Sequence, residues 1–172
     1  MSVPDTEPAS CFVDTNIWLY AFVAGDDGRK SARAKSLLEA SRAVVVSPQV
    51  INEVCVNLIK KAQFSEPQVQ QLIESFYAKY VVVEVSKALL LKASALREQY
   101  AFSFWDSTIV ASALQAGASV LYSEDMQAGL VVENRVRIIN PFDNLQLTEA
   151  TTGGSALHVV LDVSTFFRNN GQ

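Results

Sequence analysis

Cys11-Phe12-Val13-Asp14-Thr15-Asn16 decides how this chain is read. A short apolar run stops at a carboxylate, and a helix-like stretch, Ile17-Trp18-Leu19-Tyr20-Ala21-Phe22, follows at once. A strand that breaks into a helix through an aspartate is a join of an open α/β sheet. Such sheets build their sites beyond the C-terminal ends of the strands. Outward from it, the first strand takes in 10–13, and Val-rich apolar runs recur at 43–46, 81–85, 119–122 and 136–139. Most are short and continuous, as strands buried on both faces of a parallel sheet should be. Helical stretches lie between them at 17–22, 28–41, 49–63, 67–79, 86–100 and 105–116, the last closed by Gly117. The alternation predicts βαβ units with right-handed crossovers, and so an α/β fold around five mostly parallel strands.

Composition narrows the function. The chain has 172 residues, 49% apolar and 19% charged, enough for one globular domain. No apolar run reaches the ~20 residues that span a bilayer, and the polar, acidic start at 1–10 does not read as a signal peptide. Cys11 and Cys55 stand alone in apolar surroundings and read as reduced core residues of a cytoplasmic protein. A formal charge of −4 argues against simple coating of nucleic acid. With His158 as the single histidine, a multi-histidine zinc site is excluded and a Ser-His-Asp triad disfavoured. No G-x-G-x-x-G follows any strand, which disfavours a dinucleotide enzyme.

Four acidic residues carry the chemical reading. Asp14 is a natural helix N-cap, and Thr15 and Asn16 beside it can orient a carboxylate or a water. Glu53 falls opposite the apolar stripe Val50, Ile51, Val54, Leu58 and Ile59, so periodicity alone makes it a solvated surface residue. Asp106 heads the stripe Ile109, Val110, Ala113 and Leu114. It fits a capping box with Ser103, yet a carboxylate on a buried face needs a partner. Asp125 follows a strand through Ser123-Glu124, as Asp14 follows the first, and Glu124 competes for the same duty. Three of the four follow strands or open helices, points that share one edge of a parallel sheet. Like charges gathered there repel, and a hard divalent cation relieves that repulsion.

In these stretches the chain resembles the PIN-domain ribonucleases, especially the toxin half of VapBC-type toxin–antitoxin pairs. The resemblance rests on Phe12-Val13-Asp14-Thr15-Asn16, Ile51-Asn52-Glu53-Val54, Phe104-Trp105-Asp106-Ser107 and Leu121-Tyr122-Ser123-Glu124-Asp125-Met126, closed by Ile139-Asn140-Pro141-Phe142. It implies a three-layer α/β/α fold over 10–143, with an N-terminal tail at 1–9 and a C-terminal extension of open role at 144–172. It maps the family's acidic positions onto Asp14, Glu53, Asp106 and Asp125, with Asn16 or Ser123 shaping the site beside them. The expected activity is a metal-dependent endoribonuclease. Asp14, Asp106 and Asp125 are expected to hold Mg²⁺ or Mn²⁺ directly and through water, and Glu53 to position or deprotonate the attacking water or to ligate a second metal. Arg29, Lys30, Arg33 and Lys60 are candidate RNA phosphate contacts, though a solvated helix face explains any one of them as well. An antitoxin partner and a homodimer are further implications. Two other readings compete: another metal-dependent phosphohydrolase, acting on DNA flaps or phosphate esters, and a PIN-like module that binds a partner and cuts nothing.

Overall fold

The computed structural model describes residues 9–23, 25 and 27–145. The strands are β1 (Cys11–Val13), β2 (Val44–Val46), β3 (Val81–Val82), β4 (Val120–Tyr122), β5 (Val131–Val132) and β6 (Val136–Ile139). The helices are α1 (Thr15–Phe22), α2 (Gly28–Ala40), α3 (Pro48–Ala62), α4 (Glu66–Lys79), α5 (Lys87–Tyr100) and α6 (Phe104–Gln115). One sheet runs β3-β2-β1-β4-β6-β5, all neighbours parallel except β5 against β6. The α/β class and each of the five expected strands are present.

The sixth strand corrects the count. β5 is two residues long and pairs back on β6 through a turn in which Glu133 and Asn134 are both left-handed, at φ 49° and 55°. The Arg135 amide closes the turn on the Val132 carbonyl at 2.9 Å. Paired left-handed residues are the geometry of a tight hairpin, but Glu133 is an unusual residue for it, and a two-residue strand shows no periodicity to read. The predicted strand at 81–85 is likewise trimmed to β3, because Val85 has left the sheet and is exposed.

Every residue of β1 and β2 is buried, as a strand covered on both faces requires. Trp18 on α1 is fully buried. Its ring nitrogen donates to the Val13 carbonyl at 3.2 Å, and its ring meets Phe76 and Tyr80 edge-on at 4.9 and 5.0 Å. Cys11 and Cys55 are free and buried. On α3 the buried stripe takes Cys55 in place of the expected Ile59, which is exposed. α6 is buried all the way round from Ser107 to Leu114, not on one stripe. Its small polar residues make this possible: Ser107 and Thr108 donate to the Phe104 carbonyl, and Ser112 to that of Thr108. Among the described residues no helix is long and apolar enough to cross a membrane. The tail at 1–8, His158 and the extension beyond Leu145 lie outside the described residues.

Candidate active site

The strand order reverses between β1 and β4. From β1 the chain steps outward to β2 and β3, then returns to the other side of β1 with β4. That reversal opens a crevice at the C-terminal ends of the two strands, where open α/β sheets bind ligands. The register aligns those ends. Val13 pairs with Tyr122, so the next residues, Asp14 and Ser123, stand side by side. The Asp14 amide donates to the Tyr122 carbonyl at 3.0 Å, and the Ser123 hydroxyl donates to Asp14 Oδ2 at 2.8 Å. Asp14 Oδ1 accepts the Thr15 amide at 2.7 Å, so the residue also caps α1.

Two helices bring further carboxylates. Near the start of α3, Glu53 accepts the Thr15 hydroxyl at 2.7 Å and the Gln49 amide at 3.0 Å. It is half-buried, not the solvated residue that periodicity suggested. At the start of α6, Ser103 caps the helix by accepting the Asp106 amide at 3.1 Å, which is one half of the expected capping box. The Asp14 carboxyl is pushed up to about 6, chiefly by burial, while the Thr15 amide and Ser123 hydroxyl pull it down and the charges of Glu53 and Asp106 raise it further. Asp14, Glu53 and Asp106 therefore share one electrostatic neighbourhood.

Asp125 joins at the rim. It is exposed and accepts the side-chain amide of Asn16. Glu124 turns the other way, into an ion pair with Lys30, whose ammonium also lies 5.0 Å from the Tyr20 ring centre. Lys30 is thus committed within the fold, and Arg33 donates to the Pro141 carbonyl. Arg29 pairs with Asp27 at 3.5 Å and donates to the Leu145 carbonyl; Lys60 is exposed on the last turn of α3. The residue that sequence reading passed over is Gln49, one turn before Glu53 on the same helix face, a spacing at which side-chain amides and carboxylates meet.

The donors suit a hard cation by chemistry, since all are oxygens. Among the described residues, however, no group of three or more His, Cys, Asp or Glu side chains could hold a metal ion. Asp14, Asp106 and Asp125 are not brought together as a closed set. The arrangement leaves room only for a divalent cation bound by one or two carboxylates, with waters completing its shell.

Residues 11–130 match the PIN domain family. The chain belongs to that family. No curated protein sequence matches this PIN domain. Among solved structures, it is similar to a toxin–antitoxin complex from Klebsiella pneumoniae, at 22% identity and TM-score 0.58 over 76% of this chain and 97% of that one. It is also similar to VapC20 of Mycobacterium tuberculosis, a toxin that cleaves the sarcin–ricin loop, at 23% identity and TM-score 0.56 over 67% and 89%. VapBC2 from Rickettsia felis, bound to a DNA fragment from its promoter, matches at 17% and 0.53 over 76% and 99%. At such identities the likeness is one of fold.

Proposed function

We propose that this PIN domain is a metal-dependent endoribonuclease and the toxin of a type II toxin–antitoxin pair. The observation that carries the reading is Asp14: a carboxylate at the β1/β4 crevice, gripped by Ser123 and Thr15, with the charges of Glu53 and Asp106 bearing on it. Mg²⁺ or Mn²⁺ held there by Asp14 and Asp106, with Asp125 reaching it through water, would offset charge on the attacked phosphate and acidify a bound water. The chain's own groups set the geometry around that chemistry. Ser123 and the Thr15 amide aim Asp14, while the Thr15 hydroxyl and Gln49 aim Glu53. Glu53, held by donors to both its oxygens, would accept a proton from the attacking water. Asn16 holds Asp125, and Lys30 draws Glu124 away. Arg29, Arg33 and Lys60 are the exposed candidate cations, and we assign them to phosphate contacts.

The toxin role rests on the fold neighbours, of which one is a toxin–antitoxin complex and another a toxin that cleaves the sarcin–ricin loop. An antitoxin partner, a homodimer and a cytoplasmic site belong to the same proposal. The test is Asp14→Asn, assayed on RNA, on single-stranded DNA and on a chromogenic phosphate ester, with and without Mg²⁺ or Mn²⁺. We expect metal-dependent RNA cleavage that falls by about 100-fold or more in the variant; full activity in Asp14→Asn overturns the reading. A module that binds a partner and cuts nothing is the second reading, favoured by the open carboxylate set. Calorimetry separates the two, since millimolar Mn²⁺ gives no heat if that reading holds.

A further inference from the structure

Beside the carboxylates lies a hollow of about 530 Å³, lined among others by Gln49, Asn52, Glu53, Leu90, Phe104 and Trp105. It is continuous with the candidate active site, because Glu53 and Gln49 belong to both. Its wall holds two large aromatic rings open to solvent, Phe104 at 55% exposure and Trp105 at 64%. Both sit at the start of α6, ahead of the buried run that begins at Ser107, so neither contributes to the core.

The rings are nonetheless held in place. The Arg97 guanidinium lies over Phe104, 4.5 Å from its centre, and is itself tethered by donating to the Ser107 hydroxyl at 2.8 Å. Trp105 stands edge-on to Phe104 at 5.2 Å and 80°. A braced aromatic face open to solvent suits a flat π-system, because little freedom is lost when something stacks on it.

Gln49 supplies an independent sign of a ligand. Its amide nitrogen donates to Glu53 Oε1 at 3.0 Å and to the Trp105 carbonyl at 3.4 Å. Both partners are acceptors, which fixes the orientation of the amide. Its oxygen is then left buried without a hydrogen-bond partner among the described residues. An unpaired buried acceptor invites an N–H donor. Glu53 beside it carries negative charge, which repels a phosphate and favours the N–H edge of a ring.

We propose that this hollow seats an unpaired nucleobase of the RNA substrate, stacked on Trp105, with Gln49 and Asn52 facing its edge. The proposal rests on the ribonuclease reading and deepens it. A base within a duplex has its faces covered by neighbours and its pairing edge occupied, so the substrate class is single-stranded RNA or an unpaired loop.

The experiment reads binding in EDTA, where cleavage plays no part. Trp18 is fully buried, so of the two tryptophans only Trp105 reports contact with a ligand. The full chain is titrated with a six-nucleotide single-stranded RNA and with an abasic oligoribonucleotide of equal length. We expect the RNA to quench tryptophan emission and to bind about 10-fold more tightly than the abasic strand. By anisotropy of labelled RNA, Trp105→Ala should lose about 10-fold in affinity for RNA and nothing for the abasic strand, while Trp105→Phe stays near wild type. Equal binding of the two strands, or an unaffected Trp105→Ala, overturns the subsite. So does a dimer in sedimentation that Trp105→Ala dissolves while RNA gives no quenching. Base-dependent binding without cleavage under any metal would overturn the ribonuclease reading instead, and Asp14-dependent cleavage indifferent to Trp105 would overturn the subsite alone.

Discussion

Asp14 does two jobs with one carboxylate. Oδ1 caps α1 through the Thr15 amide, and Oδ2 takes the Ser123 hydroxyl. The N-cap reading and the functional reading of this residue are alternatives in the sequence; the fold makes Asp14 the cap of α1 and is compatible with the proposed site role too, because a capping aspartate at a strand end lies at the sheet edge where sites form. Ser123 is fully buried, and its hydroxyl favours the charged form of Asp14. Ser123→Ala should therefore cost about 10–100-fold in RNA cleavage, as the loss of an orienting partner does at metal sites. It should also move the acid limb of the pH–rate profile to higher pH, since Asp14 then holds its proton more tightly. An unmoved limb would show that Ser123 does not tune Asp14. Thr15, Asn16 and Ser123 were legible because they adjoin strand ends. Gln49 was not, because its role depends on Glu53 turning inward, which the pattern of α3 does not specify.

At the level of elements, α6 and β5 show where pattern reading fails for opposite reasons. α6 looked one-sided because Ser107, Thr108 and Ser112 are polar by type, yet each satisfies its own hydroxyl on the preceding turn and can be buried. β5 is too short to carry a pattern. The C-cap of α5 is a further irregularity: Ala101 is exposed and left-handed at φ 56°, where glycine is the usual residue. The side chain strains that conformation by roughly 1–2 kcal/mol, and glycine's extra chain entropy offsets part of the relief. Ala101→Gly should accordingly raise stability by about 0.5–1 kcal/mol, seen as a higher denaturant midpoint with an unchanged m-value. A lower midpoint would mean that the cap is held by something other than this residue's backbone.

Across the whole molecule, the parallel register carries the site's electrostatics into stability. In the fold Asp14 releases its proton at about 6, against 3.8 in its ordinary state. Between those values the folded chain binds more protons than the unfolded one, so this group's contribution to stability falls as pH rises through the window. Below it the penalty is absent; above it the penalty is complete. In EDTA, Asp14→Asn should melt higher than wild type at pH 7.5, and the difference should shrink as pH falls and reach zero only below the 3.8 end of that window. Added Mn²⁺ at pH 7.5 should raise the wild-type Tm and leave the variant's unchanged. A constant difference at all pH values would remove Asp14 as the source. The alternation of Val-rich runs with amphipathic stretches was enough to settle the α/β class, five of the six strands among the described residues and the strand-end positions of Asp14 and Asp125, because burial periodicity is a local property of the chain. Which carboxylates share a crevice was decided by the strand order, which sets β4 beside β1 and brings helices distant in sequence to that edge. Lys30 with Glu124, Thr15 with Glu53, and the open aromatic wall at Trp105 all depend on that long-range placement, and no local spacing encodes it.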